Sequence, residues 1–448
     1  MLNITKSSFV ISSYSSFWVP LIAILARLNP STAEISFFII AGYALLGKQQ
    51  SIQALALLFL FTMINPGIAP HIEIGTLLRY VVLFSVFLSI FLRSSFLKYN
   101  SIAFYTLVFA VFILIHSFFF SKFAIVSILK IVSWTIVIIS LLKAWGELNE
   151  LEHERMRKWI ARFFLFISLS SLFFLLIPEI GYKNNQSGFQ GVLNQSQAFG
   201  LFMALVAAIF FGHFFEKKKL SWSLVSLLFL IILLIFLSKA RTAILSLFIA
   251  MPVSLFFFFI IFFLKKKNVL PIFRSKRFFF IIFLVFFLLF TFQSIEPLNN
   301  FLKKNIDNTN NLFEIFKESR GVLFKPIIEN INKNFITGIG FAIASDPLSM
   351  SIERDTFLNL PISAPIEKGT LYIAILEELG IFGFILFVIW VFILFYKATI
   401  NGLGSLIVLI NILLLNITES VLFSVGGMGL PTLILLTSII SRPKLFLN

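Results

Sequence analysis

The chain has 448 residues, of which 59% are hydrophobic and only 12% are charged. Soluble domains carry about 25% charged residues, so this composition excludes a water-soluble fold and predicts a protein that resides in a lipid bilayer. The net charge of +16 does not indicate nucleic acid as a partner, because the basic residues lie in short segments between apolar runs. The chain lacks cysteine and its four histidines are scattered, so we expect neither a metal nor another cofactor.

Successive apolar segments predict an all-α polytopic membrane protein with about 12–14 transmembrane helices, because each crossing takes about 20 residues. The number is a range because the second, third and thirteenth segments are short. In chain order the segments lie near residues 8–26, 34–47, 51–65, 76–92, 101–119, 123–142, 160–178, 196–215, 221–238, 241–264, 277–293, 371–396, 402–416 and 421–440.

Basic residues collect in alternate loops, and this asymmetry predicts the orientation of the chain. The loops between them hold few basic residues. With an even number of spans, the pattern places both termini in the cytoplasm. The basic loops contain Lys48, Arg93, Lys397 and Arg442 and the residues 155–158, 217–219, 265–267 and 274–277.

One long polar segment, residues 294–370, interrupts the apolar pattern, and by parity it lies outside the cytoplasm. Loops longer than about 15 residues are usually functional or disordered. This loop contains helical patterns that are too apolar for a plain linker. We therefore predict one long external loop that carries short helices and forms a cap. The loop divides the chain into 1–293, 294–370 and 371–448.

A very short external turn joins two long apolar helices and holds two cations, Lys239 and Arg241. The positive-inside rule disfavours two cations in such a turn, which points to a function rather than to ordinary interfacial charges. The planar fork of an arginine suits phosphate oxygens, and Thr242 begins the next helix, where backbone N–H groups favour anions. Arg320, on a predicted helix of the long loop, is another cation that could face the membrane surface.

Glu367 and Lys368 lie where the long loop re-enters the membrane. A carboxylate at this point could act as a general base. A local surface pair between the two side chains is an equally good interpretation. The next span begins near Tyr372 and carries Glu377 and Glu378, of which at least one must face protein or water rather than lipid.

Three other polar residues stand out within or beside apolar segments. Arg79 in the fourth span and Lys130 in the sixth are charges at membrane depth, so each is either functional or a snorkelling or paired structural charge. Asn194 stands just before the eighth span, where it could cap the helix or bind sugar hydroxyls.

The order of several motifs over roughly residues 185–440 resembles the O-antigen ligase and O-antigen polymerase superfamily of bacterial envelope glycan assembly. The turn at residues 238–242 is similar to the family's Ser-x-Ser/Ala-Arg-Thr turn. Residues 334–341 are similar to its "npltGiGfG" stretch, and residues 376–383 are similar to its "LaElGliG" helix. Residues 194–198 match its Asn-Gln turn before a span.

The resemblance implies a function at the outer face of the bacterial inner membrane. Family members transfer a glycan from undecaprenyl diphosphate to an acceptor, which is lipid A–core for ligases and another lipid-linked repeat unit for polymerases. The resemblance implies no metal and no nucleotide sugar. Ligases of the family often carry a His eleven residues before the Gly of the Glu-Leu-Gly stretch, and here that position is Gly369. This departure leaves polymerase and ligase open.

The hypothesis that follows assigns the diphosphate to Arg241 and Arg320 and makes Glu367 the general base. Lys239, Thr242, Arg79, Lys368, Tyr372 and Asn194 are the expected substrate-binding residues. The expected partners are the undecaprenyl-diphosphate-linked glycan donor, a glycan or lipid A–core acceptor, and the lipid bilayer. The alternatives are a lipid-linked oligosaccharide flippase or other secondary transporter, and a non-catalytic assembly partner.

Overall fold

A computed structural model describes residues 16–72, 74–93, 101–182, 188–216, 222–264, 324–347, 350–354, 361–363 and 368–441. Two of the candidate residues, Arg320 and Glu367, lie outside the described residues, as do the predicted eleventh span and the first part of the long loop.

The described chain is a bundle of apolar helices. Seven of its helices are long and apolar enough to cross a membrane, and five more are shorter but also apolar. The prediction of an all-α polytopic membrane protein is confirmed. The long helices are α4 (Gly75–Arg93), α5 (Ser101–Phe120), α6 (Ala124–Gly146), α7 (Glu150–Ser171), α9 (Ser196–Glu216), α11 (Arg241–Leu264) and α13 (Leu371–Asn401). The five shorter apolar helices are α1 (Ser16–Leu28), α2 (Ala33–Ala44), α10 (Trp222–Ser238), α14 (Leu403–Leu415) and α15 (Gly429–Ile440). Helix α3 (Lys48–Met63) is also short but begins with a more polar stretch.

Short elements complete the described chain. A 3₁₀ turn (Leu172–Leu175) and α8 (Pro178–Gly181) follow α7. In the predicted external loop, residues 324–333 form helix α12. The strands β1 (Glu353–Arg354) and β2 (Pro361–Ser363) pair antiparallel, with Glu353 opposite Ser363. The long polar loop therefore does contain regular structure after its undescribed first part.

One set of the loops that connect the helices lies together on one face of the bundle, where hydrogen bonds join the loops to one another. Asn65 Nδ2 donates to the carbonyls of Ile180 and Gly191, at 2.9 and 3.0 Å. Phe189 N donates to Leu237 O at 2.9 Å, which ties the segment before α9 to the turn that contains Arg241. Leu371 N donates to Asn416 O at 3.0 Å. We call this the Arg241 face.

A second set of connections meets at the opposite end of the helices, which we call the Lys48 face. Lys48 pairs with Glu147, and Arg93 donates to Leu46 O. Asn401 Nδ2 donates to Ile439 O at 2.7 Å, which joins the end of α13 to the end of α15. The described loops that hold Lys48 and Arg93 therefore lie together at this end of the helices.

Helix α13 is broken at Gly380, where φ is +63° and ψ is −171°. The segment that follows α12 supplies hydrogen-bond partners at the break. Ile339 N and Gly340 N donate to the carbonyls of Glu377 and Glu378 at 3.0 and 2.9 Å. Ile381 N in turn donates to Phe335 O at 2.9 Å. Unpaired backbone groups are costly in a bilayer, so the break is possible only where another segment supplies partners.

Three glycines make this close approach possible, and we call Gly338, Gly340 and Gly380 the glycine interlock. All three have positive φ, which side-chain-bearing residues rarely adopt. A Cβ on Gly380 would overlap the carbonyl oxygen of Ile336, and one on Gly340 would lie 2.6 Å from Cα of Ser121. The two glycine-containing motifs noted in the sequence are therefore two halves of one packing contact.

We predict that Gly380→Ala lowers the thermal unfolding temperature by several degrees, because both the strained φ and the overlap with Ile336 O cost about 1–3 kcal/mol each. Unfolding of the purified protein in detergent, followed by tryptophan fluorescence, measures this. Gly42→Ala in α2 is the matched control, since a Cβ there meets nothing within 4 Å and should leave the temperature unchanged or slightly higher. Equal unfolding temperatures for the two variants would contradict the interlock.

Candidate functional site

A buried group of charges lies at the start of α13, directly beneath the glycine interlock. Lys368 Nζ is 2.7 Å from Glu377 Oε2 and 3.0 Å from Glu378 Oε1. The three side chains are only 2%, 0% and 8% exposed. We call Lys368, Glu377 and Glu378 the charge cluster. Burying such charges is expensive, so each oxygen needs a partner.

Neighbouring segments supply the remaining partners of the two carboxylates. Asn330 Nδ2 donates to Glu377 Oε1 at 2.7 Å, and Ser345 Oγ donates to Glu377 Oε2 at 3.1 Å. The backbone N–H of Ala342 donates to Glu378 Oε2 at 2.7 Å. The charge cluster therefore ties α12, the segment that follows it, and the start of α13 into one rigid unit.

Helices α5 and α6 hold the same segment from the other side. His116 Nε2 donates a hydrogen bond to Thr337 O. Ser127 Oγ donates to Phe341 O at 2.6 Å and accepts from Ser121 Oγ at 2.7 Å. Residues 337–342 are thus clamped between the turn that joins α5 to α6 and the break in α13.

His116, Asn330 and Ser345 are site neighbours that the sequence did not reveal. His116 is 6% exposed, and its Nδ1 has no hydrogen-bond partner among the residues that the structure describes. No local signal marks these residues, since the contact between His116 and Thr337 joins positions more than two hundred residues apart. Glu377 and Glu378 did carry a signal, because carboxylates in an apolar span must face protein or water.

The predicted Arg241 turn is as short as the sequence indicated. Helix α10 ends at Ser238 and α11 begins at Arg241. Lys239 is exposed and has φ of +56°, the left-handed conformation of a tight turn. Arg241 and Thr242 are half-buried at the N-terminus of α11, where the backbone N–H groups point out of the helix.

Arg79 and Asn194 lie on the same face beside the segment that precedes α15. Arg79 Nη1 is 2.6 Å from the position that a Cβ on Gly426 would take, and its Cζ is 5.1 Å from the centre of the Tyr80 ring. Asn194 N donates to Met63 O at 2.8 Å, and Met63 Sδ packs against Gly427.

The remaining predicted residues lie at the start of α13. Tyr372 is half-buried, and its hydroxyl donates to Leu413 O at 2.7 Å. Gly369, which takes the position of the family's His, has φ of +69°. Lys368 pairs with Glu377 and Glu378 rather than remaining on the surface. Within the described residues, no group of three or more His, Asp or Glu side chains could hold a metal ion.

These features define a polytopic helical membrane protein with a buried polar centre beneath one face. Residues 226–388 match the family model described as O-antigen ligase, which confirms the resemblance inferred from the motifs. The match covers a little over a third of the chain and includes the Arg241 turn, the glycine interlock and the charge cluster. Comparisons with curated proteins and with solved structures gave no match.

The helices and the family match together indicate the class of the protein. Seven described helices are long and apolar enough to cross a membrane, and residues 226–388 are similar to the membrane-embedded O-antigen ligases. Arg79, His116 and Asn194 precede the matched segment, although they lie on the same face of the bundle.

We predict that Lys368→Met destabilises the protein by about 3–5 kcal/mol, because it leaves two buried carboxylates without their cation. The measurement is thermal unfolding in detergent together with the yield of folded protein. Lys158→Met removes an exposed i,i+4 pair with Glu154 and should cost less than about 1 kcal/mol. If Lys368→Met were as stable as Lys158→Met, the charge cluster would not be a structural anchor.

Proposed function

We propose that the chain transfers a glycan from undecaprenyl diphosphate to the hydroxyl of an acceptor sugar. The transfer would take place at the Arg241 face, which we assign to the external side of the membrane. The observation that supports this most is the grouping of the Arg241 turn, the glycine interlock and the charge cluster on one face, within the segment that matches the ligase family. The long loop, residues 294–370, would cover this face as a cap.

Arg241 and Arg320 would hold the diphosphate of the donor. Forked guanidinium donors match phosphate oxygens and stabilise the charge that develops on the leaving group. The start of α11 favours an anion at Arg241 and Thr242, because its first N–H groups lack helical partners. Lys239 and Arg79 would add positive potential on the same face.

Glu367 would remove the proton from the acceptor hydroxyl as the new glycosidic bond forms. The hydroxyl oxygen attacks the anomeric carbon, the bond from that carbon to the diphosphate oxygen breaks, and undecaprenyl diphosphate leaves. Glu367 directly precedes Lys368, whose side chain is anchored by Glu377 and Glu378. This anchoring supports a fixed backbone next to the general base. Tyr372 and Asn194 would orient the sugars, whereas Lys368 would act by holding the backbone beside Glu367.

We predict that Arg241→Ala and Arg320→Ala each reduce transfer by about a hundredfold or more, because a lost donor to a charged transition state costs about 2.7–4 kcal/mol. The assay is formation of polymeric or ligated glycan in cells that produce equal amounts of each variant. Arg155→Ala is the control, since Arg155 is an exposed cation at the start of α7, on the Lys48 face. Normal glycan from both variants at the Arg241 face would refute the proposed donor site.

The acceptor separates a polymerase from a ligase, and a gene deletion tests it. Loss of a polymerase should leave surface core capped with one repeat unit. Loss of a ligase should leave bare core and accumulated lipid-linked polymer. Electrophoresis of the surface glycan distinguishes the two patterns. An unchanged glycan profile in the deletion strain would contradict both assignments.

A lipid-linked oligosaccharide flippase is the alternative function, and one observation favours it. A helix broken at membrane depth beside buried charges is typical of secondary transporters, and α13 has this arrangement. Purified protein with donor and acceptor in one detergent solution separates the two functions. A transferase forms a new glycosidic bond under these conditions, whereas a flippase changes no covalent bond.

A further inference from the structure

Lys130 is a cation near the site that has no assigned role. It lies in the second turn of α6, so it is close to the Arg241 face rather than in the middle of the span. Its side chain is half-buried, and its Nζ is 6.0 Å from the centre of the Phe341 ring. Phe341 belongs to the segment that Ser127, also on α6, holds in place. Lys130 therefore borders the segment that the glycine interlock fixes.

The charges around Lys130 are Glu378 and Lys368. Lys368 makes ion pairs to both carboxylates of the charge cluster, so the cluster has one negative charge more than its own cation balances. Lys130 interacts electrostatically with Glu378, but it makes no ion pair within 4.0 Å in the described part of the chain. Glu378 favours a charged Lys130, whereas burial and the nearby Lys368 oppose the charge, and neither side chain is within ion-pair distance of it.

The ammonium of Lys130 also makes no hydrogen bond to any described residue. An ammonium has three donors and is expensive at membrane depth when all of them are unpaired. The other buried cation of the site, Lys368, makes two ion pairs. Because none of these donors has a partner among the described residues, Lys130 can bind an anion or water that enters beside Phe341.

We propose that Lys130 binds an anionic group of the substrate, namely the diphosphate of the polyprenyl-linked donor. This inference rests on the proposed function and extends its donor site from the Arg241 turn to α6, which lies outside the segment that matches the ligase family. The competing interpretation gives Lys130 a purely structural role, in which it balances the extra negative charge of the charge cluster.

Binding of undecaprenyl diphosphate to the purified full-length protein tests the inference directly. We expect Lys130→Met to weaken binding by about tenfold or more, since a hydrogen bond to a charged group contributes this much, and Lys130→Arg to restore much of it. Lys122→Met is the control, because Lys122 is an exposed cation in the turn before α6. Equal binding by wild type and Lys130→Met would overturn the inference but leave the proposed function intact. No binding by wild type would instead count against the donor of the proposed function.

The same substitution in a Glu378→Gln variant distinguishes the two roles of Lys130, ligand binding and charge balance. In Glu378→Gln the extra negative charge is gone, so a purely structural Lys130 would have nothing to neutralise. We expect Lys130→Met to weaken binding by the same factor in the wild-type and Glu378→Gln backgrounds. If the effect disappears in the Glu378→Gln background, Lys130 acts through Glu378 and the proposal is wrong.

Discussion

The need to satisfy backbone hydrogen bonds inside a bilayer constrains the centre of this protein. Helix α13 breaks at Gly380, and the freed groups near the break pair with the segment at residues 335–340. Unpaired backbone groups are costly away from water, so these groups depend on the segment for their partners. A part of the long polar loop is therefore an integral component of the helical bundle, and the glycine interlock fixes its distance from α13.

The charge cluster adds a second requirement to the same place. The desolvation penalty of two buried carboxylates exceeds their attraction to one lysine, unless their other lone pairs also accept hydrogen bonds. Asn330, Ser345 and the N–H of Ala342 meet that need. Such an arrangement contributes little net stability but permits one geometry, because any displacement leaves a charged oxygen unpaired. It therefore fixes the position of α12 and of the segment that follows it relative to the start of α13.

The polar centre is built from both halves of the chain. The segment that matches the ligase family supplies Lys368, Glu377 and Glu378, whereas α5 and α6 lie before it and supply His116 and Ser127. An aromatic core that includes Trp134, Phe423 and Trp390 joins these halves. The segment that matches the ligase family therefore packs against the preceding helices, and these helices help to hold residues 337–342 in place.

The sequence by itself determined the class of the fold, because apolar length and the distribution of basic residues report directly on how a chain meets lipid and water. It also predicted the short Arg241 turn and the two glycine motifs, whose signals are local. Only the tertiary structure decided that those motifs pack against each other and that Lys368 pairs with Glu377 and Glu378. It also brought His116 to Thr337. Local sequence reports which side chains avoid lipid, but the packing of helices determines which of them meet.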